Sequence, residues 1–298
     1  MKSMLSPKAL AQAIGVSESS LKRWADDGRI TVARTAGGHR RIPVAEALRF
    51  VRETGLSLAH PEVMGLPELG DARAELGVTD NPLRRGQELL FDALNGGDEA
   101  KARGVVLDLY LSGHSVAGIF DGPIRNSMAQ LGELWLHSDA GIYIEHRATD
   151  ICLHILALLR SMAVPPGERR QDQPVALGGA PSGDPYVMPS LMATIVLAET
   201  GYRDVNLGPE TPMNALLAAV GHYRPRLVWL SCSVGQAMPP HRELAQLLDL
   251  LGGAGGVLAM GGRSLADVGP LPRRDNLQVV TTMAELAAFA RGLLGAKS

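Results

Sequence analysis

Three successive sequence patterns predict a multidomain protein of mixed α and α/β class. A short basic segment with two helical repeats and a glycine-tipped hairpin comes first. A long stretch of purely helical periodicity follows. The last third alternates short apolar strands with helices. These patterns divide the 298 residues into a head at 1–57, a linker at 58–82, a helical body at 83–164 and an α/β body at 174–298.

The composition is compatible with that division. At roughly 100–200 residues per domain the length allows two or three domains. A hydrophobic share of 46% can fill their cores, and with aromatics at 4% those cores must rely on Leu, Ala, Val and Met. No apolar run reaches the roughly 20 residues that span a bilayer. Residues Met1 to Leu5 carry no signal-peptide apolar region. The two cysteines, Cys152 and Cys232, lack metal-ligand spacing, which predicts a cytoplasmic protein with free thiols, no bound metal and no membrane partner.

Charge is distributed unevenly. Residues 1–53 hold ten Lys/Arg against five Asp/Glu, so this segment is +5 while the remainder is −7. A small basic module on an acidic body is the pattern of a nucleic-acid-binding head.

Within that head, Ser6-Pro7 reads as an N-cap followed by Pro at the first helical position. Leu10, Ala11 and Ile14 repeat at helical spacing, and Gly15-Val16 makes a tight turn. Ser17 caps a second helix whose buried side carries Leu21 and Trp24. Ser19, Ser20, Lys22 and Arg23 lie on its exposed side, where such groups reach phosphates and base edges. A strand, Ile30 to Arg34, then leads through Gly37-Gly38 into a basic returning strand. The run Arg34-Thr35-Ala36-Gly37-Gly38-His39-Arg40-Arg41 resembles the wing of the MerR-type winged helix-turn-helix, over residues 4 to about 55. The resemblance implies binding to a double-stranded DNA operator through Ser19, Ser20, Lys22, Arg23, Arg34, His39, Arg40 and Arg41.

Residues 58–82 contain Pro61, Gly65, Pro67, Gly70, Gly77 and Pro82 without sustained periodicity, which predicts a linker. From Leu83, four helices are expected. Leu89, Leu90 and Leu94 mark the first, and Val105, Val106 and Leu109 the second. Ile119 to Leu134 form the third, kinked at Gly122-Pro123. Ile144 to Leu158 mark the fourth, and short connections predict an antiparallel bundle. The run Leu131-Gly132-Glu133-Leu134-Trp135 is followed after nine residues by Glu145-His146. This resembles the cobalamin-capping bundle of CarH-type light-responsive repressors. The resemblance implies that Trp135, Glu145 and His146 lie beside the upper axial face of adenosylcobalamin.

The final alternation predicts a Rossmann-like parallel sheet with helices on both faces. Its ligand loops should follow the strands' carboxyl ends. Those loops resemble the cobalamin-binding domain: Ser231 and Gly261-Gly262 match the path of the cofactor's nucleotide tail. The first loop, Gly183-Asp184-Pro185-Tyr186, matches at Asp184 but holds Tyr186 where that family has its cobalt-ligating His. Neutral imidazole is a good metal ligand, whereas a phenol of pKa about 10 is mostly protonated near neutrality. Three outcomes stay open: cobalamin held without a protein ligand, a cofactor-free domain that meets a partner, or another tetrapyrrole such as haem, for which tyrosinate is a known axial ligand.

The resulting expectation is a transcriptional repressor, not an enzyme, working as a homo-oligomer (dimer or tetramer). Its sensor region would be cobalamin-controlled and light-responsive as in CarH. The alternatives are a cobalamin-independent regulator that answers a protein antirepressor or haem, and a corrinoid-dependent enzyme subunit.

Overall fold

The computed structural model describes residues 3–135, 139–163, 172–266 and 271–295; for Leu134, Trp135, Asp139 and Ala140 it describes the backbone only. The chain forms two compact units, Met1–Pro165 and Pro166–Ser298.

The first unit begins with β1 (Met4–Leu5), α1 (Pro7–Ala13) and α2 (Glu18–Asp26). Both helices start where the sequence places an N-cap. The Ser6 hydroxyl accepts from the Ala9 amide, and the Ser17 hydroxyl from the Ser20 amide, each at 3.1 Å. Gly15, at φ +69°, makes the left-handed turn between them. β2 (Ala33–Arg34) and β3 (Arg40–Pro43) form an antiparallel hairpin, with β1 paired on the other side of β3. α3 (Val44–Thr54) closes this module over Leu10, Leu21, Ile30, Ile42 and Phe50.

Residues 58–82, expected as a linker, are instead packed structure. Pro61 opens a 3-10 turn, Pro61–Met64, and Gly65 ends it at φ +77°. α4 (Glu68–Leu76) follows. Leu58, Met64, Leu66, Leu69 and Ala72 are buried. Pro61, Gly65, Pro67, Gly77 and Pro82, which suggested a loop, serve here as helix starts and stops, while Gly70 lies inside α4.

The bundle comprises α5 (Pro82–Gly96), α6 (Glu99–Leu111), the run α7 (Val116–Ile119) to α8 (Arg125–Trp135), and α9 (Asp139–Ala163). Between α7 and α8 the predicted kink is a π turn, Phe120–Ile124, with Pro123 inside it. Proline has no amide hydrogen to donate, so the helix widens locally rather than breaking. α4 packs along α6, and α3 rests against α6 and α9. Gly104 allows the first contact: a Cβ there would stand 2.6 Å from the Glu68 carbonyl oxygen.

The second unit is Rossmann-like. β4 (Val175–Pro181), β5 (Arg203–Thr211), β6 (Leu227–Ser231), β7 (Val257–Gly261) and β8 (Leu277–Val279) form one parallel sheet in the order β5-β4-β6-β7-β8. α10 (Val187–Glu199), α11 (Met213–Tyr223), α12 (His241–Gly253) and α13 (Met283–Gly295) cover it. Alternate strand residues feed two cores. Val175, Leu177, Val228, Leu230, Leu258 and Met260 pack with Leu216 of α11 and Leu244, Leu247 and Leu248 of α12. Ala176, Leu227, Trp229 and Ala259 pack with Ala193 and Leu197 of α10 and Leu286 and Ala290 of α13.

Among the described residues no helix is long and apolar enough to cross a membrane.

Candidate functional site

The N-terminal module carries Lys22 and Arg23 on α2, and Arg34, Arg40 and Arg41 on the β2–β3 hairpin. Arg34 stands directly across from Arg40 in the antiparallel register. Like charges opposite one another destabilise a ladder unless an anion lies between or beside them. Asp26, at the end of α2, supplies one such anion: Arg40 Nη2 lies 2.5 Å from Asp26 Oδ1, and Arg40 Nη1 donates to the Lys22 carbonyl at 3.4 Å. Arg40, expected to reach DNA freely, therefore ties the hairpin to α2. Arg34 and Arg23 are exposed, and among the described residues neither has an ion-pair partner. Arg41 is half-buried against the Arg40 carbonyl. Lys22 pairs with Glu18 at 3.0 Å, both exposed. The hydroxyls of Ser19 and Ser20 lie 2.8 and 2.9 Å from that of Ser17, which gathers three hydroxyls at the start of α2. His39 closes the hairpin tip, its amide donating to Thr35 Oγ1 at 3.2 Å. The Arg40 contacts to Asp26 and to the Lys22 carbonyl thus join the hairpin to α2, and Asp26 is a residue the sequence reading missed.

On α9, Glu145 and His146 stand close to its start. His146 is exposed, with Nε2 3.8 Å from Glu145 Oε2, and Glu145 Oε1 accepts from Thr149 Oγ1 at 3.1 Å. Ile142 and Tyr143 beside them are exposed. The Trp135 side chain lies outside the described residues.

In the second unit, Asp184 is fully buried. One carboxylate oxygen accepts from the Tyr186 amide at 3.1 Å, and the other from the Ser233 amide at 2.5 Å. Tyr186 and Arg263 are both exposed, and the guanidinium of Arg263 lies 4.7 Å from the Tyr186 ring centroid. Arg263 Nε donates to the Ser233 carbonyl at 3.0 Å. The first loop is further fixed by Glu210 Oε2, which accepts from the Gly183 amide at 2.6 Å. Ser231 Oγ donates to the Gly179 carbonyl at 3.4 Å.

The glycines here touch the chain itself. Gly262 has φ +127°, and the backbone of Cys232 sits where its Cβ would be. At Gly178 a Cβ would lie 2.5 Å from Cδ2 of the Trp229 indole. Trp229 Nε1 donates to Ser190 Oγ at 3.1 Å, and Ser190 Oγ donates in turn to Asn206 Oδ1 at 3.0 Å.

These residues do not fit cobalt ligation from below. No imidazole stands on the first loop, the Tyr186 ring is engaged by Arg263, and both Asp184 oxygens are used. Of the positions matched to the nucleotide tail, Gly262 lies against the Cys232 backbone and Ser231 Oγ donates to the Gly179 carbonyl, while on the neighbouring strands Trp229 packs against Gly178. Sequence reasoning missed Arg263, Ser233 and Trp229. Arg263 follows Gly261-Gly262 directly and was the nearest available signal. Among the described residues no group of three His, Cys, Asp or Glu is placed to hold a metal ion.

No family model and no curated protein matches the chain. Among solved structures it is similar to the monomethylamine corrinoid protein of Methanosarcina barkeri. The identity is 16%, the match covers 68% of this chain and 96% of that one, and the TM-score is 0.49. It is also similar to the methanol:cobalamin methyltransferase complex of the same organism, at 16% identity, 77% and 85% coverage and a TM-score of 0.35. A third similar structure is a cobalamin-binding protein of Desulfitobacterium hafniense DCB-2, at 16% identity, 70% and 98% coverage and a TM-score of 0.33.

Proposed function

We propose that the chain is a DNA-binding transcriptional regulator of the MerR type, acting as a repressor. Its N-terminal module is a winged helix-turn-helix, and its α/β unit is a sensor region of the cobalamin-binding type. The observation that carries the reading is the Arg34–Arg40 pair, set on a hairpin that Asp26 ties to α2. Asp26 serves as the anion for Arg40, and the exposed Arg34 opposite it is left to meet a further anion, of which a phosphate backbone supplies a row. α2 would enter the major groove with Ser19, Ser20 and Arg23 toward the bases, and the hairpin would follow the phosphates. A homo-oligomer, dimeric or tetrameric, would place several heads on one operator and raise affinity without new contacts.

Fluorescence anisotropy with duplexes selected from a random pool tests the reading. Binding should be saturable and should fall steeply as salt rises. Absence of binding to every duplex at low salt would overturn it.

The CarH resemblance implies adenosylcobalamin as the signal and light as its release. The crevice of the α/β unit favours instead the cobalamin-independent regulator, with a protein antirepressor as the effector. In that case operator binding is the same in the dark with adenosylcobalamin, in the light, and without the cofactor. A light-dependent loss of operator binding that requires added adenosylcobalamin would restore the photoreceptor reading. We also propose that the chain has no catalytic role of its own.

A further inference from the structure

The order of the sheet fixes where a ligand would enter the α/β unit. β5 lies on one side of β4 and β6 on the other. In such sheets ligands bind outside the strands' carboxyl ends, at the point where the order reverses. Here that point lies between the loops after β4 and β6, and the chain bridges it. Asp184 of the first loop takes the Ser233 amide of the second. Arg263, from the loop after β7, donates to the Ser233 carbonyl and stacks on Tyr186.

The layer beneath is filled as well. Side chains two apart on a strand share a face, so Trp229 lies on the face of Ser231, in the core under α10 and α13. The Trp229 ring rests on Gly178, where any side chain would collide with it. Its N–H is satisfied by Ser190, so the indole is fixed at both its apolar and polar ends. A ligand entering here would have to displace a buried aromatic ring and leave a fully buried carboxylate without its amide partner.

We propose that Tyr186, Arg263 and Trp229 occupy, from within the chain, the crevice a corrinoid would enter, so that the α/β unit is self-filled and holds no cofactor. The inference rests on reading this unit as cobalamin-binding in type and is independent of the DNA-binding reading.

The test uses the full chain, incubated in the dark with hydroxocobalamin or adenosylcobalamin, desalted, and read by corrinoid absorbance. Three proteins are compared: wild type, Tyr186→His, and Tyr186→His combined with Trp229→Ala. Wild type and the single variant should elute colourless, because Trp229 still fills the core. The double variant should retain the corrinoid band. Retention by wild type overturns the proposal. Retention by Tyr186→His alone also overturns it, since the missing imidazole would then be the whole barrier. A double variant that is folded by circular dichroism yet colourless overturns it too. If the double variant does not fold, the first two proteins decide: two colourless samples support the proposal and colour in either refutes it. Operator binding measured on the same wild-type sample reports separately on the regulator reading.

Discussion

The guanidinium of Arg52, near the end of α3, donates through Nη1 to the carbonyl of His114 at 2.9 Å and to the carbonyl of Tyr110. It also lies 3.8 Å from the Tyr110 ring centroid. The last carbonyls of a helix have no intrahelical partner and carry partial negative charge. A cation from the N-terminal module thus caps the end of α6, and the module is joined to the bundle.

Replacing Arg52 with alanine should therefore destabilise the first unit. A hydrogen bond with a charged partner contributes about 1.5–3 kcal/mol, and the stacked ring adds about 0.5–1 kcal/mol. Urea unfolding monitored by circular dichroism should show a loss of about 2 kcal/mol, with faster amide exchange around residues 110–114. Unchanged stability and exchange would mean that the cap does not join the two parts.

A second contact of α6, with α4, depends on Gly104. Glycine inside a helix costs about 1 kcal/mol relative to alanine, so an alanine there would stabilise an exposed helix. At position 104 the added methyl would meet the Glu68 carbonyl oxygen at 2.6 Å, and backbone cannot move aside as a flexible side chain does. Gly104→Ala should cost about 1–3 kcal/mol and raise protease sensitivity within α4. A stabilised variant would show that α4 is loosely held.

The sequence made the helical bundle and the parallel sheet readable because both leave strong local patterns, a 3.6-residue period for α5 to α9 and short continuous apolar runs, separated by helical segments, for strands buried on both faces. It concealed α4 because Pro61, Gly65, Pro67 and Gly77 have loop composition yet mark where short elements begin and end. Arg52 was counted among the basic residues of a DNA-binding head, and nothing local distinguishes it from Arg34. Its role depends on where α6 ends. Tyr186 was visible as a departure from the cobalamin pattern. Its partner Arg263 was not, since cation–π pairing is set by tertiary placement and not by spacing along the chain.

The buried thiols give each unit its own reporter. Desolvation pushes Cys152 from its ordinary 9.0 up to about 12. Burial, followed by the charge of Asp184, does the same for Cys232, also to about 12. Thiolate is the reactive form, so both should resist thiol reagents at pH 8 until their unit opens. The linkage has a definite sign. Between pH 9 and 12 the folded thiols keep protons that the unfolded chain has released, so the unfolded state binds fewer and stability falls as pH rises. Labelling followed by mass spectrometry should show Cys152 and Cys232 reacting at the unfolding rates of their respective units. Fast labelling of either in the native protein would contradict its burial.

Finally, the paired and unpaired arginines of the hairpin should behave differently on DNA. Arg34 is exposed, and Arg34→Ala should weaken binding and lower the slope of log K against log salt by about one. Arg40 already has Asp26 as its anion, so it neutralises no phosphate while that pair holds, and Arg40→Ala should change the slope less. Its loss should act instead through orientation, since it frees the hairpin from α2. Asp26→Asn removes the competing carboxylate, and should strengthen low-salt binding and steepen the slope by up to about one. Anisotropy titrations at several salt concentrations measure all three. Equal slopes for Arg34→Ala and Arg40→Ala, with no change for Asp26→Asn, would show that Asp26 does not hold Arg40 when DNA is present.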